Sequence, residues 1–257
     1  MVSAVALAQR LAPEVRIYEA LVSFGELRVV FQPLLDFRTG DVFAYEALVR
    51  TVDPVIAPTT LFAEAVDRQC AGLLGRAIRA LAVTECAGWP LFLNVHPNEL
   101  EEGWLLAEDD PIYAHDAPVF LEITESVPLS RMNGGLGTLA ELRARGVHLA
   151  VDDLGAGYSN LRYIADLAPE VVKLDRELVK NLSEDARLRK LVGSIVHLCM
   201  DLGAEVVAEG IETRGELRAV RDTGVHYGQG YLIGRPARPP PPLSPDGRIT
   251  IVPPPRP

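Results

Sequence analysis

Eight short apolar segments, most of them separated by helix-like stretches, constrain this chain more than any other feature. They are Leu27–Leu35, Val42–Val49, Leu91–Val95, Val119–Thr124, Val147–Val151, Val171–Leu174, Glu205–Ala208 and Val225–Ile233. Most are rich in Val, Leu, Ile and Phe and too short for a helix, which is the signature of a buried strand. The last carries two glycines and is the weakest on pattern. Between them, Thr60–Cys86, Met132–Arg145, Ser159–Leu167, Leu178–Leu202 and Thr213–Thr223 place apolar residues at helical spacing, with Gly146 positioned as a C-terminal stop. Alternation of strand and helix predicts an α/β fold with a largely parallel sheet. The first two strands are joined only by residues around Arg38–Asp41, too few for a helical crossover, so that pair is antiparallel. The expected fold is a TIM-like (β/α)8 barrel with an antiparallel first strand.

Residues 1–24 read as a helical lead-in, 25–237 as the barrel, and 238–257 as a proline-rich, poorly ordered tail. No stretch approaches the roughly 20 apolar residues of a membrane span. The short apolar run Val2–Ala8 lacks the form of a secretory signal. The three cysteines, Cys70, Cys86 and Cys199, are scattered singly, the pattern of reduced thiols. A cytoplasmic protein with no membrane contact is expected. The net charge of −10 argues against binding a nucleic acid polymer through a basic field. A small phosphate ligand would need local positive charge, supplied by metal ions and a few Arg and Lys side chains.

Polar residues recur at or near the ends of these strands: Glu46, Asn94, Glu122, Asp152 with Asp153, Lys173, Glu209 and Gln229. In a barrel those ends converge on the face that carries the active site. Five carboxylates and an amide are hard oxygen ligands suited to Mg²⁺ or Mn²⁺. The paired Asp152 and Asp153 could serve two ions close together, an arrangement suited to in-line displacement at phosphorus. Helix N-capping would account for Asn94 or Asp153, but not for Glu46, Glu122, Glu209 and Lys173 as well.

The segments Phe31-Gln-Pro-Leu34, Tyr45-Glu-Ala-Leu-Val-Arg50, Leu93-Asn-Val95, Leu121-Glu-Ile-Thr-Glu125, Val151-Asp-Asp-Leu-Gly-Ala-Gly-Tyr-Ser159, Lys173-Leu-Asp-Arg176, Ala208-Glu-Gly-Ile-Glu212 and Gln229-Gly-Tyr231 resemble, in this order, those of the EAL family of cyclic di-GMP phosphodiesterases. Tyr18-Glu-Ala-Leu21 repeats the tetrapeptide Tyr45-Glu-Ala-Leu48, but in a helical pattern, and marks Glu19 as a solvated residue. On a strand, Glu46, Leu48 and Arg50 share one face.

The resemblance implies hydrolysis of cyclic di-GMP to linear 5′-pGpG with two Mg²⁺ or Mn²⁺ ions, and inhibition by Ca²⁺. It implies that Glu46, Asn94, Glu122 and Asp152 bind one metal, with Asp152 bridging and Asp153 serving the second. Lys173 and Glu209 would position and activate water, with Gln229 in support. Gln32, Leu48, Arg50 and Asp175 would face substrate, and Glu125 would brace the loop Asp153–Ser159. A homodimer is also implied, and a sensor or regulatory partner is left open. His96, Leu154 and Ala156 depart from the family pattern. Non-catalytic capture of cyclic di-GMP is the alternative reading, usually marked by loss of a metal ligand or of the lysine. Neither is lost here.

Overall fold

The structure, a computed structural model, describes residues 26–52, 55–124, 135–156 and 161–240. The expected lead-in, the Tyr18–Leu21 repeat, Glu125, the loop residues 157–159 and most of the proline-rich tail lie outside these. Eight strands close into a barrel in sequence order: β1 Leu27–Asp36, β2 Val42–Thr51, β3 Leu91–Asn94, β4 Val119–Thr124, β5 His148–Leu154, β6 Val171–Leu174, β7 Glu205–Ala208 and β8 Tyr227–Gly228. Strand β1 runs antiparallel to both neighbours, β2 and β8, and every other pairing is parallel. The expected barrel with an antiparallel first strand is therefore what forms.

The helices outside it are α1 Pro58–Asp67, α2 Ala71–Glu85, the short α3 Glu99–Glu102, α4 Gly135–Ala144, α5 Arg162–Leu167, the short α6 Arg176–Val179, α7 Ala186–Asp201 and α8 Arg214–Asp222. Two of the helices expected from the sequence are split. The stretch Thr60–Cys86 breaks at Gln69, which takes φ +56°. The Cys70 N–H donates to the Ala65 carbonyl and the Gln69 N–H to that of Val66, a Schellman closure without the usual glycine. Leu178–Leu202 breaks likewise at Asn181, φ +63°, and restarts at Asp185, whose carboxylate accepts from the N–H groups of Arg187 and Leu188. Gly146 ends α4 as expected, with a φ of +87°. Thr213 and Glu216 form a capping box at the start of α8.

Strand β8 is far shorter than the predicted Val225–Ile233. Beyond Gly228 the chain leaves the ladder to clasp Ile211: the Ile211 N–H donates to the Gln229 carbonyl, and the Leu232 N–H to that of Ile211. Gly230 makes this approach feasible, since a Cβ there would stand 2.2 Å from Ile211 backbone atoms. The segment 238–257, expected to be loose, starts out tied to the barrel next to Ala237. Ala237 and Phe31 exchange backbone hydrogen bonds, and Arg238 pairs with Glu85 at 2.7 Å.

The barrel interior holds two layers that follow from the period-two geometry of a strand. Leu34, Ala44, Phe92, Phe120, Ala150, Val171, Val207 and Tyr227 form an apolar cluster of their own, joined by Phe43. Phe92 stacks on Phe120 at 4.4 Å and Phe43 on Tyr227 at 4.0 Å. In β2 to β8 the inward residue two positions further on is Glu46, Asn94, Glu122, Asp152, Lys173, Glu209 or Gln229. In the antiparallel β1 the order reverses, and Gln32 precedes Leu34 by two. A dry aromatic floor thus lies directly beneath a ring of polar side chains. A larger apolar layer between strands and helices surrounds the barrel.

Candidate active site

Lys173 sits at the centre of the polar ring and is 1% exposed. Its Nζ lies 2.5 Å from Glu122 Oε1, 2.6 Å from Glu209 Oε1, 3.3 Å from Asp152 Oδ1 and 3.4 Å from Glu46 Oε2. Burial works against its charge, but the surrounding carboxylates outweigh burial and hold its pKa well above the ordinary lysine value. One ammonium cannot neutralise so many acids, and the surplus appears as upward shifts. Burial, then the charge of Glu46, pushes Glu122 well above the carboxylate range. Burial pushes Glu209 up to about 8. Burial, then Asp152, pushes Asp153 up to about 6. Glu46 moves the other way. Burial tends to raise it, but Lys173 and hydrogen bonds from Gln229 Nε2 (2.5 Å) and Asn94 Nδ2 (3.1 Å) hold it low.

The paired aspartates depend on a local defect. Successive residues of a regular strand point to opposite faces, so Asp152 and Asp153 should diverge. Register between β5 and β6 shifts between Val151 and Leu154, and Asp153 takes φ +60°. A bulge of this kind re-aims side chains. The left-handed conformation costs about 1–2 kcal/mol for a residue with a Cβ, least for Asp and Asn. Both carboxylates consequently line one cavity with Glu209, and ligand oxygens of these three lie within 4.8 Å of one another.

That cavity, of about 330 Å³, is lined by Gln32, Glu46, Leu48, Asp152, Asp153, Lys173, Arg176, Glu209, Glu212, Gln229 and Tyr231, with Gly210 and Gly230. Gln32 donates to the Gly234 carbonyl and accepts from Gln229 Nε2 at 3.2 Å. Arg50 points away from this cavity into a neighbouring one, with its Nη1 donating to the Val49 carbonyl. Asp175 caps α6 by accepting from the Glu177 N–H, and stands close enough to Asp153 to add to its upward shift. Leu154, one of the departures from the family pattern, is fully buried at the end of β5. His96, another, stacks on Phe62, and burial lowers its pKa.

Sequence reasoning assigned no role to Arg176 or Tyr231. Arg176 pairs with Glu212 at 3.1 Å and lies across Gly210, where a Cβ would stand 2.5 Å from the arginine Cγ. The signal available was a cation three residues past Lys173, inside the Lys173-Leu-Asp-Arg176 segment.

A hard-cation site fits this arrangement. Both Glu122 carboxylate oxygens and Asp152 Oδ1 are buried without a hydrogen-bond donor, so the contact of Glu122 with Lys173 is ionic rather than an aligned hydrogen bond. The donor set is oxygen throughout, which suits Mg²⁺ or Mn²⁺.

The chain is similar to Cyclic di-GMP phosphodiesterase PA2567 of Pseudomonas aeruginosa, 32% identical over 225 residues that cover 82% of this chain and 38% of that protein. It is similar to the uncharacterized protein y4lL of Sinorhizobium fredii, 33% identical over 225 residues, 82% of this chain and 27% of that one. Among solved structures it resembles Klebsiella pneumoniae BlrP1 in its manganese and cyclic di-GMP complex, with TM-score 0.72, 29% identity, and coverage of 82% of this chain and 56% of that one. It also resembles the PaMucR phosphodiesterase in complex with cyclic di-GMP, with TM-score 0.74, 27% identity, and coverage of 87% and 96%. The chain spans only 27%, 31% and 36% of the length of three of its curated relatives. The EAL domain model matches residues 14–236, and the chain belongs to the EAL domain family.

Proposed function

We propose that this protein hydrolyses one phosphodiester bond of cyclic di-GMP, giving linear 5′-pGpG, with two Mg²⁺ or Mn²⁺ ions. The observation that carries the reading is the buried Lys173 held among four carboxylates, whose surplus negative charge faces an open cavity. Glu46, Asn94, Glu122 and Asp152 would hold one ion, and Asp153 the other, with Asp152 shared. When bound, the ions supply Lewis-acid stabilisation of phosphate charge and make a water acidic enough to attack at neutral pH. Lys173 balances charge at its end of the ring and would orient the attacking water. Glu209, held 2.6 Å from Lys173 at the edge of the cavity, would take the proton of the attacking water. Gln229 and Asn94 fix the Glu46 carboxylate through their hydrogen bonds. Gln32 and Arg176 present donors to the phosphates.

Incubation of the protein with cyclic di-GMP, with products resolved by chromatography, tests the reading. Linear pGpG should accumulate with Mg²⁺ or Mn²⁺, and turnover should stop with chelator and fall with Ca²⁺, whose looser coordination misplaces the reacting groups. Full turnover in excess chelator would refute the metal dependence. Metal-replete protein that binds cyclic di-GMP and leaves it intact would refute the activity.

A further inference from the structure

Beside the ionic ring lies a second cavity of about 470 Å³, walled by Leu48, Arg50, Pro58, Phe62, Val95 and His96. Glu46 and Leu48 line both cavities, so the second opens directly onto the ring. The apolar walls accept the flat face of a purine, and discrimination between purines falls to polar groups at the base edge, of which this lining offers Arg50, Thr59, Asn94, Thr124 and His96.

His96 is placed to be such a group. Its ring lies parallel to Phe62, with 7° between planes and 5.7 Å between centroids. The Asn98 N–H donates to its Nδ1 at 3.3 Å. Nδ1 therefore carries the lone pair and Nε2 the proton. Among the described residues, Nε2 meets no partner.

Building on the cyclic di-GMP reading, we propose that His96 selects guanine: its Nε2–H donates to the O6 and N7 acceptors of a base seated in the slot against Phe62. Guanine presents two acceptors on that edge, whereas adenine places an amino donor in the position of O6. Adenine keeps N7 but puts an amino donor where O6 stood, so the N–H loses one of its two acceptors and faces a like donor, which a desolvated site penalises. Phe62 holds the imidazole flat, and Asn98 fixes the tautomer. Asn94, two residues before His96, ties the slot to the ionic ring through its hydrogen bond to Glu46.

The test compares wild type, His96→Phe and His96→Gln. Phe keeps a flat ring on Phe62 and removes the donor, while Gln keeps a donor and removes the ring. Steady-state kinetics with Mn²⁺ would use cyclic di-GMP, the mixed cyclic GMP–AMP and cyclic di-AMP. Direct titration of the same nucleotides into Ca²⁺-loaded protein, in which turnover is expected to fall, gives a readout of binding apart from turnover. His96→Phe should raise KM for cyclic di-GMP about tenfold, with kcat within about twofold, and should narrow the preference for guanine by a similar factor. His96→Gln should recover part of that preference. Wild-type KM and wild-type guanine preference in both variants would overturn the role of His96 alone. A wild-type protein that neither binds nor cleaves any cyclic dinucleotide would overturn the functional reading, and the role of His96 with it.

Discussion

Replacing Lys173 by methionine removes, among the described residues, the one side-chain cation within 3.4 Å of four buried or half-buried carboxylates, while keeping most of the side-chain volume. Breaking a buried ion pair from one side costs about 3–5 kcal/mol, a large share of the 5–15 kcal/mol that holds a typical domain together. The metal-free variant should therefore unfold at markedly lower urea concentration than metal-free wild type. Divalent cations should narrow the gap. At a hundred times its dissociation constant, a ligand specific to the native state adds about 2.7 kcal/mol. The variant should gain more than wild type, in which Lys173 competes for the same oxygens. Acid should narrow the gap too. Carboxylates whose folded pKa is raised lose stability as pH climbs through that value, so protonation below about pH 5 relieves the repulsion. Urea titrations at pH 5 and pH 8, with and without Mn²⁺, supply the measurement. A metal-free variant as stable as wild type at pH 8, or a gap that Mn²⁺ leaves unchanged, would refute the electrostatic account of the ring. Turnover should fall at least a hundredfold in the variant, whatever its stability.

Glu46→Ala should abolish hydrolysis and weaken metal-dependent binding of cyclic di-GMP, whereas Glu19→Ala should stay within about twofold of wild type, as most surface changes do; the reverse pattern in a kinetic assay would show that the motif was placed on the wrong copy. Glu125→Ala should lower kcat strongly while sparing much of the substrate affinity, Asp153→Asn should do the same, and the double variant should add little, which a double-mutant cycle would measure. Metal-free protein should lose stability as pH rises from about 4 to 8, because Asp153 and Glu209 are pushed up to about 6 and about 8, and saturating Mn²⁺ should flatten that slope in thermal melts. Glu99, buried against Arg79 at 2.6 Å and pushed up to about 7 chiefly by burial, should add a further slope of about 2–3 kcal/mol between roughly pH 4.5 and 7. Glu99→Gln should remove that slope but lower the plateau, since its amide can replace only one of two acceptors, those facing Arg79 and the His96 N–H.

The barrel and its ring were legible in the sequence for one reason: strands alternate. Once Phe92-Leu-Asn94 or Phe120-Leu-Glu122 is read as strand, the polar residue must share a face with the aromatic two positions earlier, and closure does the rest. The features that escaped the sequence break a local rule. Asp153 departs from alternation through a bulge that neighbouring residues do not announce. Gln69 and Asn181 end helices in a left-handed conformation usually given to glycine, so long periodic stretches looked continuous. Arg79 carries its charge into the core between Glu99 and Asp110, whose carboxylates lie 2.6 Å and 2.8 Å away, and composition alone does not distinguish such a triad from a solvated face.

The two-layer interior also explains why the ring's carboxylates are perturbed rather than merely acidic. Carboxylates on a surface would keep ordinary pKa values and bind divalent ions weakly, because water screens them. Here Phe92, Phe120 and Tyr227 deny water to the underside of the ring, and Lys173 reaches up from Val171 into the space that remains. Glu122 stands directly after that floor on β4 and is the most completely buried carboxylate of the ring, with both oxygens lacking a donor. The floor sets the desolvation, the desolvation raises the unbalanced carboxylates, and those carboxylates gain most from an incoming divalent cation. Packing of the lower layer and affinity of the upper one are therefore a single property of the barrel. A cavity opened at Phe120 would admit water beneath Glu122 and weaken cation binding without touching a ligand.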